Sequence, residues 1–361
     1  MVRKEQFGGI VGLSRILSLR APLAPLRTQK AAVAVALSGS ATAAYLICFF
    51  GAGYAQSLWL QVLFSLAVGP LIALLFRIAH DAGHGSHFAN VWLDRLTCRL
   101  SLLPSYHPHS VWLLLHNGRH HSFTNLRDSD YIWIPYSKQD YDRLSPPRRL
   151  LERIYRTTLG AGLYYLCEIS LRMIAVRPKL VRKMKPVYVR DALIAAGFFL
   201  AQLAALALDH PEPGVFVMRL LLAIVLPYLV FNWLVGFASF LNHTHPRVPW
   251  FSRREQWSFY EGQVHCTVHV GVPPWMVFFL TDLGLHGAHH IDPRIPIWKL
   301  EPAEDRILAS AGDEIVFEPW TWARHRDIMR CCKLYDYDAH RWLDFAGRPT
   351  TPVIEISEAR A

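Results

Sequence analysis

Residues 57–87 read SLWLQVLFSLAVGPLIALLFRIAHDAGHGSH, a long apolar run that ends in three histidines. A helix needs about 20 mostly apolar residues to cross the hydrocarbon core of a bilayer, and the run 57–79 is long enough. The histidines follow where such a helix leaves the membrane. Because imidazole is the commonest metal ligand, this stretch predicts a spanning helix with metal-binding side chains at one membrane surface.

Three further apolar stretches complete a set of four predicted spans, at roughly 31–50, 191–208 and 215–241. The loop Gly51–Gln56 carries no charge and the loop Asp209–Pro213 carries no lysine or arginine, whereas the flanks on the other side are basic. Lysine and arginine are enriched in cytoplasmic flanks. Both termini and the long segment 80–190 are therefore predicted to be cytoplasmic.

The expected fold is an all-α integral membrane protein with about four transmembrane helices and a cytoplasmic helical cap. Two shorter apolar runs, near 91–105 and 158–176, are interrupted by charges and are predicted to lie in the membrane interface. The sequence divides into three predicted regions: a cytoplasmic N-terminal lead, a membrane domain with cytoplasmic histidines and a cytoplasmic C-terminal tail, at 1–30, 31–300 and 301–361.

Charge and cysteine content exclude several classes of protein. The net charge of +10 comes without any nucleic-acid-binding motif, so a basic face against anionic lipid is the better interpretation. The six cysteines form no CxxC pair, which argues against disulfides, structural zinc and iron–sulfur clusters. No GxGxxG fingerprint indicates a bound dinucleotide. Any reducing equivalents must therefore come from a separate protein.

Histidine is the residue type that stands out. Eighteen are present, and eight of them fall between His80 and His121. In the first group, His80 and His84 share one helix face at an i, i+4 spacing, and His87 is expected one turn further on that face. A single histidine near a membrane is usually structural, but repeated groups on one face favour metal binding.

Three further histidine groups follow, and the predicted topology brings every group to the same side of the membrane. The second repeats the i, i+4 pair with one histidine added, and the third has an i, i+3 pair with an adjacent partner. A fourth pair follows the last span. The members are His116, His120 and His121, then His286, His289 and His290, and finally His243 and His245.

The number of histidines bears on the metal. Imidazole suits zinc, copper, iron and nickel, and zinc needs only four ligands. Eight or nine imidazoles exceed one zinc and suit two metals. A membrane metal carrier without catalysis is a second possibility, but it requires polar groups inside the spans, and these spans are nearly free of ionisable residues.

Five stretches carry a resemblance to a known family: HDAGHGSHFAN, HNGRHHSFTN, FLNHTHP, TVHV and HGAHHIDPRIPIWKL. With them the chain resembles the membrane fatty acid desaturases and is most similar to their bacterial acyl-lipid omega-6 (Δ12-type) branch. The resemblance runs from about residue 80 to residue 300. It implies a four-span fold with a cytoplasmic cap.

The resemblance also implies two bound iron ions. The implied ligands are His80, His84, His116, His120, His121, His286, His289 and His290, with His243 as a further ligand after the last span. Three more residues are candidates for an additional ligand or for a hydrogen bond to a ligand imidazole: His87, Asp282 and His245. A simple helix-surface acid is an equally good interpretation of Asp282.

The implied activity is that of a fatty acyl desaturase in a bacterial inner membrane. Such an enzyme introduces a cis double bond into a lipid-bound acyl chain with O2 and two electrons, which a ferredoxin or small cytochrome would deliver. The first three histidine groups correspond to the histidine boxes of this family. The boxes are shared with hydroxylases and ketolases acting on lipid, alkane or carotenoid, so a related di-iron hydroxylase or ketolase remains the alternative. No substrate-binding residue can be named from the sequence.

Overall fold

The computed structural model describes residues 9–174, 185–273, 276 and 285–356. Four of its helices are long and apolar enough to cross a membrane, which confirms the predicted number of spans. They are named span 1 to span 4, in chain order, with the bounds Ala31–Tyr54, Leu58–Gly83, Pro186–Leu206 and Pro213–His243. The protein is a mostly helical membrane protein, as predicted.

Span 2 lies at the centre of the helix bundle. In its most apolar stretch of 18 residues, half of the residues are buried within the protein. The corresponding share is 22% in spans 1 and 3 and 28% in span 4. Spans 2 and 4 approach closely at Gly69, where an added Cβ would lie 2.5 Å from Val230 Cγ1. This small residue allows the two helices that end in histidines to pack directly against each other.

Gln202 is a polar residue within the third predicted span. In the structure its amide group donates to the Tyr45 hydroxyl at 2.8 Å and accepts from the Tyr106 hydroxyl at 2.7 Å. An amide in hydrocarbon is costly unless it is hydrogen-bonded. The two tyrosines therefore make this residue compatible with a spanning helix.

Shorter helices surround the bundle and contain both predicted interfacial runs. The first run forms Val91–Leu102, on which Trp92 is 72% exposed, and the second forms the helical stretch that begins at Gly160. The remaining helices and helical turns are Gly9–Arg20, Ala24–Arg27, Leu103–Ser105, His109–Leu115, His116–His120, Lys138–Asp142, Pro146–Tyr155, Gly160–Tyr164, Tyr165–Ser170, Leu171–Ile174, Arg254–Gln256, Glu261–His265, His286–Ile291, Ile297–Lys299, Leu300–Ala311 and Trp322–Cys331.

The C-terminal tail contributes to two small sheets that the sequence did not predict. Strand β1 (Val268–Gly271) pairs in parallel with β2 (Val316–Pro319), so the membrane domain and the tail share one sheet. Strand β3 (Leu334–Asp336) pairs antiparallel with β4 (Arg341–Leu343). The tail therefore packs around the histidine-bearing side of the protein.

The N-terminal helix Gly9–Arg20 packs on the same side. The Arg20 guanidinium donates to the Ile291 carbonyl at 2.6 Å, and Arg27 forms an ion pair with buried Asp292 at 2.6 Å. Both acceptors directly follow the third histidine group. The N-terminal segment thus helps to hold this group near the ends of spans 2 and 4.

Candidate metal centre

Nine histidines form two compact groups where spans 2 and 4 end. Within each group, one ring nitrogen from every residue lies within 4.8 Å of the others. We name the groups cluster A and cluster B. Cluster A contains His80, His84, His116, His121 and His289, and cluster B contains His120, His243, His286 and His290.

The end of span 2 positions the first pair. His80 lies in the last turn and His84 caps the helix, so the i, i+4 spacing brings both rings to cluster A. Gly85 has a φ of 72°, a left-handed conformation that ends the helix. The expectation that His87 continues the same face is therefore wrong, because the chain turns away before that residue.

The second group lies on a π-helical turn, His116–His120, in which the His121 N–H donates to the His116 carbonyl at 3.0 Å. Such turns are rare and occur often at functional sites. The wider turn brings His116 and His121 together, with their Nε2 atoms 3.1 Å apart, and directs His120 to the other cluster. One box therefore serves both clusters.

The third group is also divided between the clusters. On the short helix His286–Ile291, the residues four apart, His286 and His290, belong to cluster B, whereas His289 belongs to cluster A. His243, the last residue of span 4, completes cluster B, with its Nε2 atom 3.1 Å from that of His286.

The donor atoms fit metal ions. Ring nitrogens approach each other at 3.0 Å between His290 and His286 and at 3.2 Å between His289 and His121. Several other buried ring nitrogens, including both of His80, make no hydrogen bond within the described part of the chain. Converging lone pairs without donors are costly when buried, and a metal ion at each cluster would satisfy them.

Burial keeps these imidazoles in the neutral form that binds metal. It lowers the pKa of His84 to about 3, with a further contribution from the positive charge of Arg77. Burial and the neighbouring imidazoles also hold the pKa well below its ordinary value in His116, His121, His286, His289 and His290. Metal binding at neutral pH therefore does not have to displace protons from these rings.

Cluster B is oriented by hydrogen bonds from outside, which the sequence did not reveal. His120 Nδ1 donates to buried Asp130 at 3.0 Å, and His290 Nδ1 lies 3.1 Å from the Gln263 amide oxygen. His243 Nδ1 lies 3.4 Å from the Cys266 carbonyl. Such partners fix the ring orientation and the tautomer of a ligand. Asp130 follows its histidine by ten residues, a spacing that no common motif marks.

Cluster A is held mainly by packing. The Trp112 ring stacks on His116 at 4.6 Å with an interplanar angle of 14°. Trp112 also fills the space beside Gly83, where an added Cβ would lie 2.6 Å from the indole. Next to His80, the Asp81 carboxylate accepts the Ile297 N–H at 2.6 Å. This bond connects the first box to the segment that follows the third.

The three additional candidates lie outside both clusters or outside the described residues. His87 Nε2 lies 2.8 Å from the Ser38 hydroxyl, and His245 Nε2 lies 3.0 Å from the Glu318 carboxylate. Each is buried and has its own partner. Asp282 lies outside the described residues, so its role remains a prediction.

A cavity of about 80 Å³ adjoins both clusters, between spans 2 and 4. Histidines of both clusters form one end of its lining, and spans 2 and 4 supply apolar walls. The apolar side chains from these spans are Ala73, Phe76, Leu234, Val235 and Ala238. This lining, apolar walls with a few polar groups at one place, is typical of a site for an apolar ligand.

The chain matches known proteins over most of its length. The family model described as fatty acid desaturase matches residues 57–321. The sn-1 oleoyl-lipid 12-desaturase of a Picosynechococcus species is 27% identical over 77% of this chain and 77% of its own length. That of Arthrospira platensis is 28% identical over 72% of each chain.

A plant relative extends the comparison. The chloroplastic omega-6 fatty acid desaturase of Glycine max is 27% identical over 74% of this chain, which spans 61% of that protein's length. The family model covers more than half of the chain, including both clusters and spans 2, 3 and 4. This chain belongs to the fatty acid desaturase family and is an oxidoreductase of that type.

Proposed function

We propose that this desaturase inserts a cis double bond, at the Δ12 (omega-6) position, into a monounsaturated acyl chain esterified in a membrane lipid. The relatives named for oleoyl-lipid and omega-6 desaturation support the position and the lipid carrier. The observation that carries the proposal is the apolar cavity in the membrane domain, which ends on imidazoles of both clusters.

We propose iron at both clusters, held by the nine cluster histidines. Irons ligated by imidazole would supply the oxidising power, with O2, that an unactivated methylene requires, because such a group has no acidic proton and no leaving group. The family membership supports iron over the other metals that imidazole accepts. Elemental analysis after iron-replete expression tests this point, and stoichiometric zinc without iron would contradict it.

The residues of the chain would position the substrate and keep water out. The apolar walls contributed by spans 2 and 4 would hold the methylenes in register with the clusters, and Trp112 and Tyr165 add aromatic surface to the same lining. Oxidative attack on carbon is sensitive to placement on the order of 1 Å. A tightly lined cavity is therefore what regioselective desaturation needs.

Lipid analysis of an expressing host tests the reaction. A host that makes only saturated and monounsaturated lipids should gain a diunsaturated acyl chain, and the gain should vanish with the His289→Ala variant. Hydroxylated lipid or an oxygenated carotenoid, without any new double bond, would replace this proposal with the hydroxylase or ketolase alternative. Both reactions share the first hydrogen abstraction, and they differ in whether a second hydrogen is lost or an oxygen is added to the carbon.

We further propose a separate electron donor, a ferredoxin or small cytochrome, that docks on the histidine-bearing side. The sequence has no dinucleotide fingerprint and no iron–sulfur cysteine spacing to accept electrons itself. Rigorously purified protein should therefore turn over only when a donor protein and its reductase are added. Turnover with a nicotinamide cofactor alone would contradict this part of the proposal.

We propose that the protein lies in a bacterial inner membrane with both termini and all boxes in the cytoplasm, and that residues 31–300 form the catalytic membrane domain. The uncharged loop after span 1 and the basic flanks on the opposite side support this orientation. Reporter fusions at Gln56 and at the C-terminus should report opposite sides of the membrane.

A further inference from the structure

Arg77 is a buried cation in span 2, one turn before His80. Its side chain lines the cavity next to the clusters and is only 6% exposed. Asn242, on span 4 and directly before His243, lines the same cavity and is 1% exposed. Two strongly polar side chains therefore face a cavity whose other span 2 and span 4 residues are largely apolar.

Both side chains carry buried polar atoms without a partner in the part of the chain that the structure describes. The Arg77 Nε and Nη2 atoms and the Asn242 Oδ1 atom are buried without a hydrogen bond. Buried Arg156 shows the usual arrangement, with its Nε 3.0 Å from the Glu152 carboxylate. A buried arginine without a partner is costly, so its persistence at a cavity points to a ligand.

The charge balance of the centre leads to the same conclusion. Neutral imidazoles contribute no negative charge, and two divalent metal ions would add four positive charges to that of Arg77. Among the described residues, Asp130 is the one whose carboxylate is hydrogen-bonded to a cluster imidazole. A low-dielectric site with this excess of positive charge would attract an anion strongly.

We propose that Arg77 forms a binding site for a carboxylate-type anion beside the two clusters. The Nε and Nη2 atoms form one edge of the guanidinium group, and their N–H groups can donate two parallel hydrogen bonds to two oxygens of one carboxylate. The ligand class is a planar anion with two oxygens side by side.

This chemistry has two sources. One is a small soluble anion such as bicarbonate, and the other is the carboxylate end of a free fatty acid whose chain occupies the cavity. The inference rests on the proposed function, because part of the positive charge belongs to the metals of that proposal. Metal content and lipid products are therefore measured separately from anion binding.

The experiment is calorimetric titration of metal-loaded protein in detergent with formate. We expect one formate per chain and a loss of affinity of about tenfold or more in Arg77→Gln, as for hydrogen bonds to a charged group. Arg77→Lys should bind with intermediate affinity because it keeps the charge and loses the paired donors. Arg190→Gln, which removes a 58% exposed cation outside the cavity, should bind formate normally.

Equal formate affinity in the wild type, Arg77→Gln and Arg77→Lys would overturn the inference, as would the absence of formate binding to the metal-loaded wild type. If Arg77→Gln does not fold, the test rests on Arg77→Lys, which should bind formate more weakly than the wild type. Formate binding that depends on Arg77 in a protein without iron or desaturated product would support the anion site and contradict the proposed function. If iron content and lipid product are normal but formate binding does not depend on Arg77, the proposed function is supported and the anion site is contradicted.

A second titration separates the two sources. Bicarbonate binding with no gain from a longer chain would identify a soluble anion, since only the carboxylate group is then recognised. Octanoate binding at least about tenfold tighter than formate would identify the end of a free fatty acid, because its methylenes would add burial in the cavity. Both results require that Arg77→Gln weakens the binding.

Discussion

Clusters A and B contain the same residue type at the same depth, yet they are supported differently. In cluster B, three of four imidazoles have an outer partner, namely the Asp130 carboxylate, the Gln263 amide and the Cys266 carbonyl. In cluster A, the clearest support is the Trp112 ring stacked on His116. Hydrogen bonds therefore orient the imidazoles of cluster B, whereas packing orients those of cluster A. Cluster A also has five imidazoles, one more than cluster B.

This difference has a chemical consequence. A carboxylate behind an imidazole raises its basicity and fixes its orientation, whereas an aromatic ring fixes orientation alone. Two metals in such surroundings would differ in affinity and in redox behaviour even with the same ligand type. Substitutions in and around the clusters can therefore separate them, and the loss of a ligand should have the largest effect.

Removing a ligand from either cluster should abolish activity. His84→Ala and His289→Ala take imidazoles from cluster A, and His120→Ala takes one from cluster B. Because each cluster would hold one metal, the iron content should fall from two per chain towards one in each variant, as elemental analysis can measure. His84→Ala with two irons and a normal rate would remove His84 from the proposed ligands.

Asp130→Asn should weaken one metal selectively. The substitution keeps the shape of the side chain and removes the charge behind His120, and losses of such outer partners reduce metal affinity by about 10–100-fold. In a titration with a chelator, one iron should then be released at a lower chelator concentration than in the wild type, and the other at the same concentration as in the wild type. The matched control is Asp140→Asn, which alters an acid paired with Arg127 away from the clusters. Early release of both irons would mean that the clusters are not independent.

Gln263→Leu should weaken the same metal by a smaller factor. Its amide oxygen faces His290 Nδ1 at 3.1 Å, and a neutral hydrogen bond contributes about 1 kcal/mol, or roughly fivefold in affinity. The same chelator assay measures the change. An effect as large as that of Asp130→Asn would show that geometry, and not charge, distinguishes cluster B.

His245→Ala and His87→Ala should retain both irons. Both side chains are buried but bond to Glu318 and Ser38, away from the clusters. The expected cost is confined to stability, about 1–3 kcal/mol for the partner left without its hydrogen bond. Thermal unfolding measures this loss, and iron content serves as the control. Loss of one iron in either variant would place that histidine among the ligands.

The sequence predicted the features that depend on composition and short spacing. Apolar length was enough to find all four spans, because lipid requires it of any spanning helix. The period of the α-helix also predicted that His80 and His84 lie on the same helix face. The same reasoning expected His87 on that face, because periodicity does not reveal that the helix ends at Gly83 and that Gly85 then turns the chain with a positive φ.

Other features could not be predicted because they depend on distant contacts. Consecutive His120 and His121 belong to different clusters through a π-helical turn that no residue pattern announces. Asp130 and Gln263 reach the histidines only after folding, and Arg77 was one charge within an apolar run. The strand pairing of Val268–Gly271 with Val316–Pro319 likewise joins segments that are separate in the sequence.

The short helix His286–Ile291 also sets the order in which the enzyme can mature. Until the ribosome has made that helix, cluster B has two of its four imidazoles, His120 and His243, and cluster A lacks His289. Both clusters are completed after all four spans have been synthesised, when this helix is contacted by the N-terminal segment through Arg20 and Arg27. Loading of the proposed metals would thus be a late, post-insertion step, and an interrupted chain would be a membrane protein with no catalytic centre.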